Sequence, residues 1–265
     1  MYSFCKIKYL ILGILLLLIS CKKSETTIKE DIGQNSKITI AAAANLRDVL
    51  EELKQLYIKE NPDKEVNITF GSSGLLVQQM MNGAPYDLFL SADTTFPNKL
   101  KELGKATSEA EIYAYGKIVL WSSKKDVSRG LNVLLDENIK KIAIANPQLA
   151  PYGKFTVEAL KKSNAYTEIE DKIVWAENIN QAAQFASTGS ADVGFISLSN
   201  AKNKEMMTSG SYYELSENES TPIAQSGIVL NGDNHAEAQS FFNFIKSEKV
   251  KEIWQDYGYL TKISR

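Results

Sequence analysis

The 265-residue chain is almost without the side chains that metal and redox sites are built from. It has two cysteines, Cys5 and Cys21, both ahead of the first α/β pattern, and one histidine, His235. A zinc or haem site built on histidine is therefore not expected. His235 follows the polar loop Asn231-Gly232-Asp233-Asn234 and reads as a surface residue at a helix start. Charge of one sign is also lacking: thirty Lys+Arg against thirty-two Asp+Glu leave a formal net charge of -2, which argues against a nucleic-acid-binding surface. No internal repeat or low-complexity tract appears. Asp87 and Asp93 flank one strand, but no nucleophile–base pair accompanies them, so they read as structural caps. The turn Gly71-Ser72-Ser73-Gly74 lacks the lysine and spacing of a phosphate-binding P-loop.

Long hydrophobic runs are lacking too. Lys6 and Lys8 precede an apolar stretch, Tyr9 to Ile19, about half the length needed to span a bilayer. A basic start, a short apolar centre and small Ser20 before a cysteine describe a secretory signal. The string Leu18-Ile19-Ser20-Cys21 resembles a lipoprotein signal, which implies cleavage after residue 20 and acylation of Cys21. Lipid on Cys21 would supply the two or more hydrophobic signals that stable anchoring requires. Cys5 would leave with the signal and Cys21 would be blocked, so the folded part is expected to carry no thiol chemistry. Residues 21–36, polar and aperiodic, read as a solvated tether.

What is present is a recurring junction of strand and helix. Ile38-Thr39-Ile40-Ala41-Ala42-Ala43-Ala44-Asn45-Leu46, Ile68-Thr69-Phe70-Gly71-Ser72-Ser73-Gly74-Leu75 and Ala150-Pro151-Tyr152-Gly153-Lys154 each pass through small residues into a helix. Such turns aim unpaired backbone N–H groups and the positive end of the helix dipole outward, the elements of an anion site. Strands are expected at 37–43, 66–70, 87–91, 118–123, 141–145, 173–176, 192–197, 212–215 and 223–230. Helices are expected at 46–60, 73–82, 94–103, 154–162, 179–187, 235–246 and 250–257. Two alternating α/β sets with a helical tail predict two lobes, with a ligand cleft beyond the carboxyl ends of the strands.

At particular residues the pattern becomes specific. Ala42-Ala43-Ala44-Asn45-Leu46, Gly71-Ser72-Ser73-Gly74 and Gly83-Ala84-Pro85-Tyr86-Asp87-Leu88-Phe89-Leu90-Ser91-Ala92-Asp93 resemble the molybdate-binding proteins of ATP-driven importers. The similarity runs on through Ala145-Asn146-Pro147, Pro151-Tyr152-Gly153 and Ala191-Asp192-Val193-Gly194-Phe195 to Tyr257-Gly258-Tyr259. The resemblance implies the two-lobed periplasmic-binding-protein fold of type II, each lobe an open mixed sheet flanked by helices. Lobe one would be 37–116 with 228–265, and lobe two 117–227. It implies oxyanion contacts from Asn45 (side chain and backbone N–H), Ser73 (hydroxyl and N–H), and the N–H groups of Tyr152 and Ile179. Ala44 and Ser72 are further candidates. Some members donate a tyrosine hydroxyl from the position of Ser197, where serine is too short for that reach.

The implied protein binds molybdate and tungstate, uses no cofactor and no direct metal ligand, and acts as a monomer. Its partners would be a molybdate ABC permease with its ATPase and, through Cys21, the outer face of a membrane. Other readings stay open on the residues alone: a receptor for sulfate, phosphate or a phosphonate, an anion-sensing domain, or a phosphotransfer enzyme. Asn45 could be a plain helix cap. Arg47, the nearest fixed cation, is expected to face solvent or Asp48 and Glu51 rather than the ligand.

Overall fold

A computed structural model describes residues 36–106 and 108–261. The expected signal, Cys21 and residues 21–35 of the tether lie outside the described residues. The remainder forms two five-stranded mixed sheets. The first contains β1 (Ser36–Ala43), β2 (Lys64–Gly71), β3 (Leu88–Ser91), β4 (Glu111–Gly116) and β10 (Ile223–Val229), in the order β2-β1-β3-β10-β4. The second contains β5 (Ile118–Ser122), β6 (Ile142–Ala145), β7 (Ile173–Ala176), β8 (Val193–Ser197) and β9 (Ser211–Glu214), in the order β7-β6-β8-β5-β9. In both, four strands run one way and a single strand runs against them: β10, antiparallel to its neighbours β3 and β4, and β5, antiparallel to β8 and β9.

The central parallel strands read as apolar runs because helices cover both faces, whereas the edge strands β2 and β7 are partly exposed. Ile38, Ile40 and Ala41 to Ala43 of β1 are all buried. The helix Arg47–Glu60 turns Val49, Leu50, Leu53 and Tyr57 inward, and Tyr57 meets Phe241 edge-on at 5.1 Å between ring centroids. Each fully buried side chain of that size contributes about 1.5–3 kcal/mol. One apolar cluster is continuous through both lobes, from Leu46 and Leu50 to Tyr152, Phe195 and Tyr259.

The second lobe ends earlier than expected. Ile223 to Gly227 belong to β10, which pairs with β3 and β4, so the chain returns to the first sheet between Glu214 and Ile223 and not at residue 228. A Cβ on Gly227 would sit 2.7 Å from Leu90 and 2.8 Å from Phe242, so this glycine lets a helix pack on the strand. β4 was not foreseen: it is an edge strand, and the adjacent β-type run Ile118–Ser122 masks it in sequence. The short helices Tyr166–Ile169, Leu198–Ala201 and Lys204–Ser209 are likewise too brief to leave a periodic signal.

Candidate functional site

Four helix starts meet between the lobes. Each lies at the carboxyl end of a parallel strand: Ala44–Leu46 after β1, Ser73 after β2, Pro151 beyond β6 and Ile179 after β7. They border a small cavity lined by Ala43 to Asn45, Gly71 to Ser73, Ala92, Ala150 to Tyr152, Asn178 and Ile179. None of these lining side chains is charged. The candidates Asn45, Ser73, Tyr152, Ile179, Ala44 and Ser72 are thus brought together, whereas Ser197 is not.

Backbone donors are free there for a definite reason. First-turn N–H groups have no acceptor within their own helix. The starts at Ala44, Ser73 and Pro151 have no side-chain cap. At the fourth, Asn178 caps the helix, but its Oδ1 takes the N–H groups of Asn180 and Gln181 and passes over Ile179. One N–H has a partner across the cleft: Gly74 donates to the carbonyl of Leu149 at 2.8 Å.

The serines differ from each other. Ser73 Oγ accepts the Ala92 N–H at 3.2 Å, so its single proton is left to point elsewhere. Ser72 Oγ is buried with no partner. Both hydroxyls can donate to an anion in the cavity. Asn45 departs from what the resemblance implies. Its Nδ2 donates to Gln225 Oε1 and to Tyr259 OH, each at 2.9 Å, so both side-chain hydrogens are taken. Gln225 cannot turn its amide round, because its Nε2 donates to the carbonyls of Ile223 and Ala92. Of its donors only the backbone N–H of Asn45 remains for a ligand, and its acceptor Oδ1 is buried without a partner. Nor is Asn45 a helix cap; it lies inside the turn, after Ala43 at the cap position.

Ser197 is spent on its own lobe. Its Oγ caps the following helix by accepting the Asn200 N–H at 3.1 Å, and donates to Asn200 Oδ1 at 2.7 Å. Arg47 is exposed and stacks on the Phe70 ring, 4.5 Å from its centroid, away from the cavity. Asp93 Oδ1 accepts from Ser91 and from the N–H of Phe96, and Asp87 accepts from Thr39 and Asn234, so both are structural.

Sequence reading missed Asn178 and the residues behind the cavity. Asn178 carried a usable signal, an asparagine immediately before an expected helix. Gln225 and Tyr259 carried none, since they reach Asn45 from 180 and 214 residues away. Tyr259 is delivered by an antiparallel bridge between Tyr115 and Leu260.

Burial raises the hydroxyl pKa of Tyr113, Tyr152 and Tyr259; the nearby Tyr259 adds to the rise at the other two, whereas at Tyr259 itself hydrogen bonds with Ser199 and Asn45 offset part of it. Above the ordinary tyrosine value of 10, the unfolded chain releases protons that the native state retains. The native state then binds more protons than the unfolded one, so stability falls as pH rises. Melting temperature should hold steady below that value and decline above it. Ultraviolet titration should show these three phenols ionising only as the fold is lost. Their ionisation in a still-folded protein would refute this account of the tyrosine cluster.

Two lobes that bring helix N-termini together around a small cavity with no charged lining residue define a solute-binding protein. The chain belongs to the bacterial extracellular solute-binding proteins, whose family model matches residues 38–260. It is 35% identical to the molybdate-binding protein ModA of Rhodobacter capsulatus over 228 residues, covering 85% of this chain and 89% of that one. It is 28% identical to the putative ABC transporter substrate-binding lipoprotein YvgL of Bacillus subtilis, covering 92% and 93%. The periplasmic molybdate-binding protein of Azotobacter vinelandii superposes with a TM-score of 0.80 at 32% identity, over 85% of this chain and all of that one.

Proposed function

We propose that this protein captures molybdate, and tungstate with it, and delivers it to an ABC permease. The observation that carries the reading is a cavity ringed by four helix starts and two serine hydroxyls, with no charged side chain. A tetrahedral dianion is matched by N–H and O–H donors, each a charge-assisted hydrogen bond roughly twice the strength of a neutral one. Molybdate near neutral pH carries no proton, so it asks for donors alone. Sulfate is equally bare, and size must separate the two: a cage set for the longer metal–oxygen bonds leaves sulfate with slack contacts. Relatives named for molybdate at a third identity support the choice of ion.

One observation favours a second reading. The unpartnered Oδ1 of Asn45 lacks a hydrogen that a protonated oxyanion, such as hydrogenphosphate, would bring. Against it, the helix starts that surround the cavity present backbone donors, which suit a fully ionised anion. Export by the signal at 1–20, acylation of Cys21 and a tether to 36 would hold the receptor beside its permease on the outer side of a membrane.

Calorimetric titration with molybdate, tungstate, sulfate and phosphate separates these readings. Expected is one site per chain for molybdate and tungstate, with sulfate and phosphate much weaker. Sulfate competing at equal concentration would overturn the selectivity, and tighter phosphate would establish the second reading. Turnover of a phosphoester would make the protein an enzyme.

A further inference from the structure

Ser197, withdrawn from the cavity, opens a chain of side-chain hydrogen bonds that leads back to it. Ser197 Oγ donates to Asn200 Oδ1 at 2.7 Å, Asn200 Nδ2 donates to Asn180 Oδ1 at 2.9 Å, and Asn180 Nδ2 donates to the Ala44 carbonyl at 2.9 Å. The carbonyl of Ala44 and the N–H of Asn45 belong to one peptide group. Each link fixes the next: an amide that accepts through its oxygen must present its nitrogen on the other side. Three hydrogens therefore point the same way, and the fourth in the series is the Asn45 N–H at the cavity.

We propose that Asn180, oriented by Ser197 and Asn200, is a positioning residue that couples closure of the second lobe to anion capture by the first. This rests on the reading of the cavity as an oxyanion site. Asn180 stands on the second lobe, directly after Ile179, and the carbonyl it grips lies on the first, 136 residues away. Ser199 Oγ adds a parallel contact from the second lobe, donating to the Asn45 carbonyl at 2.9 Å. Donation to the carbonyl side of a peptide polarises its N–H, and bonds in such chains strengthen one another by about 10–30% each. An anion on the Asn45 N–H therefore tightens the Asn180 contact, and the Asn180 contact tightens the anion. Parting of the lobes breaks the series at one place, between Asn180 and Ala44. The coupling is reciprocal by thermodynamic necessity.

The test uses the full-length protein and its Asn180→Ala, Asn180→Asp and Asn200→Ala variants, with association and dissociation rates for molybdate measured by stopped flow. Encounter with the open cleft precedes the Asn180 contact, so association should be unchanged. Dissociation should rise about tenfold in Asn180→Ala, the size of one hydrogen bond of about 1.4 kcal/mol. Asn180→Asp keeps the shape but aims an oxygen at the Ala44 carbonyl, and should be at least as fast. Asn200→Ala should fall between these and the parent. Unliganded melting temperatures should stay near the parent value, since Asn180 is only half-buried. Parent-like dissociation in Asn180→Ala overturns the proposal while leaving the oxyanion site intact. So does a loss shared by association and unliganded stability, which would mark a structural role. If the parent binds another of the four oxyanions instead, the same rates are read with that ion. A parent that binds none removes the oxyanion reading and the coupling together.

Discussion

Ser73→Ala is expected to weaken molybdate binding roughly ten- to a hundredfold, the loss of a charge-assisted hydroxyl bond worth about 1.5–3 kcal/mol. Ser73 is fully buried, and its oxygen already accepts the Ala92 N–H, so the one proton it carries is free to meet the ligand. The same geometry means that the substitution does not spare the fold. Alanine orphans a buried Ala92 N–H, which costs about 1–3 kcal/mol whether or not ligand is present. The two losses separate by experiment: melting of the unliganded variant reads the first, and calorimetric affinity the second. Arg47→Ala is the contrast. Its guanidinium rests on Phe70 at the surface, and removal should change affinity little. An Arg47→Ala variant that binds worse than Ser73→Ala would show that a fixed charge holds the anion, and the donor-only explanation of selectivity would fall.

Gly153→Ala is expected to be the most disruptive glycine-to-alanine change among the described residues. A Cβ there would lie 2.0 Å from the carbonyl oxygen of Ala145 and 2.7 Å from its carbonyl carbon. Both are backbone atoms at the end of β6, so no rotamer change relieves the clash and the helix must move away from the sheet. Overpacking of this kind costs about 3 kcal/mol, which for a domain of this size is a fall of roughly 6–12 °C in melting temperature. The displaced residue follows Tyr152 directly, so the Tyr152 N–H leaves its place at the cavity, and affinity should drop about tenfold or more as that bond lengthens. Lys154→Ala, one residue on and exposed, should stay within about 0.5 kcal/mol of the parent. Parent-like stability in Gly153→Ala would mean that the helix start can shift freely, and its role in fixing a donor would be lost.

Much of this molecule can be read from local sequence because its site is made of local structure. A strand followed by small residues and a helix exposes N–H groups wherever it occurs. The junctions at Asn45, Ser73 and Tyr152 could therefore be marked as elements of an anion site before any tertiary contact was known, and the family resemblance named the individual donors and added Ile179. The alternation of apolar runs with amphipathic stretches likewise announced two α/β lobes, since covered parallel strands are apolar throughout. The edge strand β4 and the early return at Ile223 escaped, because strand pairing joins residues whose proximity leaves no periodic trace.

Side-chain roles inside the cavity were decided by tertiary structure alone. Whether Asn45 presents its amide or only its N–H depends on Gln225 and Tyr259, brought from the end of the chain by β10 and the bridge at Leu260. Whether Ser197 serves the ligand depends on Asn200, which takes its proton. Local sequence determined which backbone groups are available, because helix geometry leaves its first donors unpaired in any context. The assembled fold decided which side-chain hydrogens remain, because a hydrogen already given to a distant partner cannot also be given to the anion.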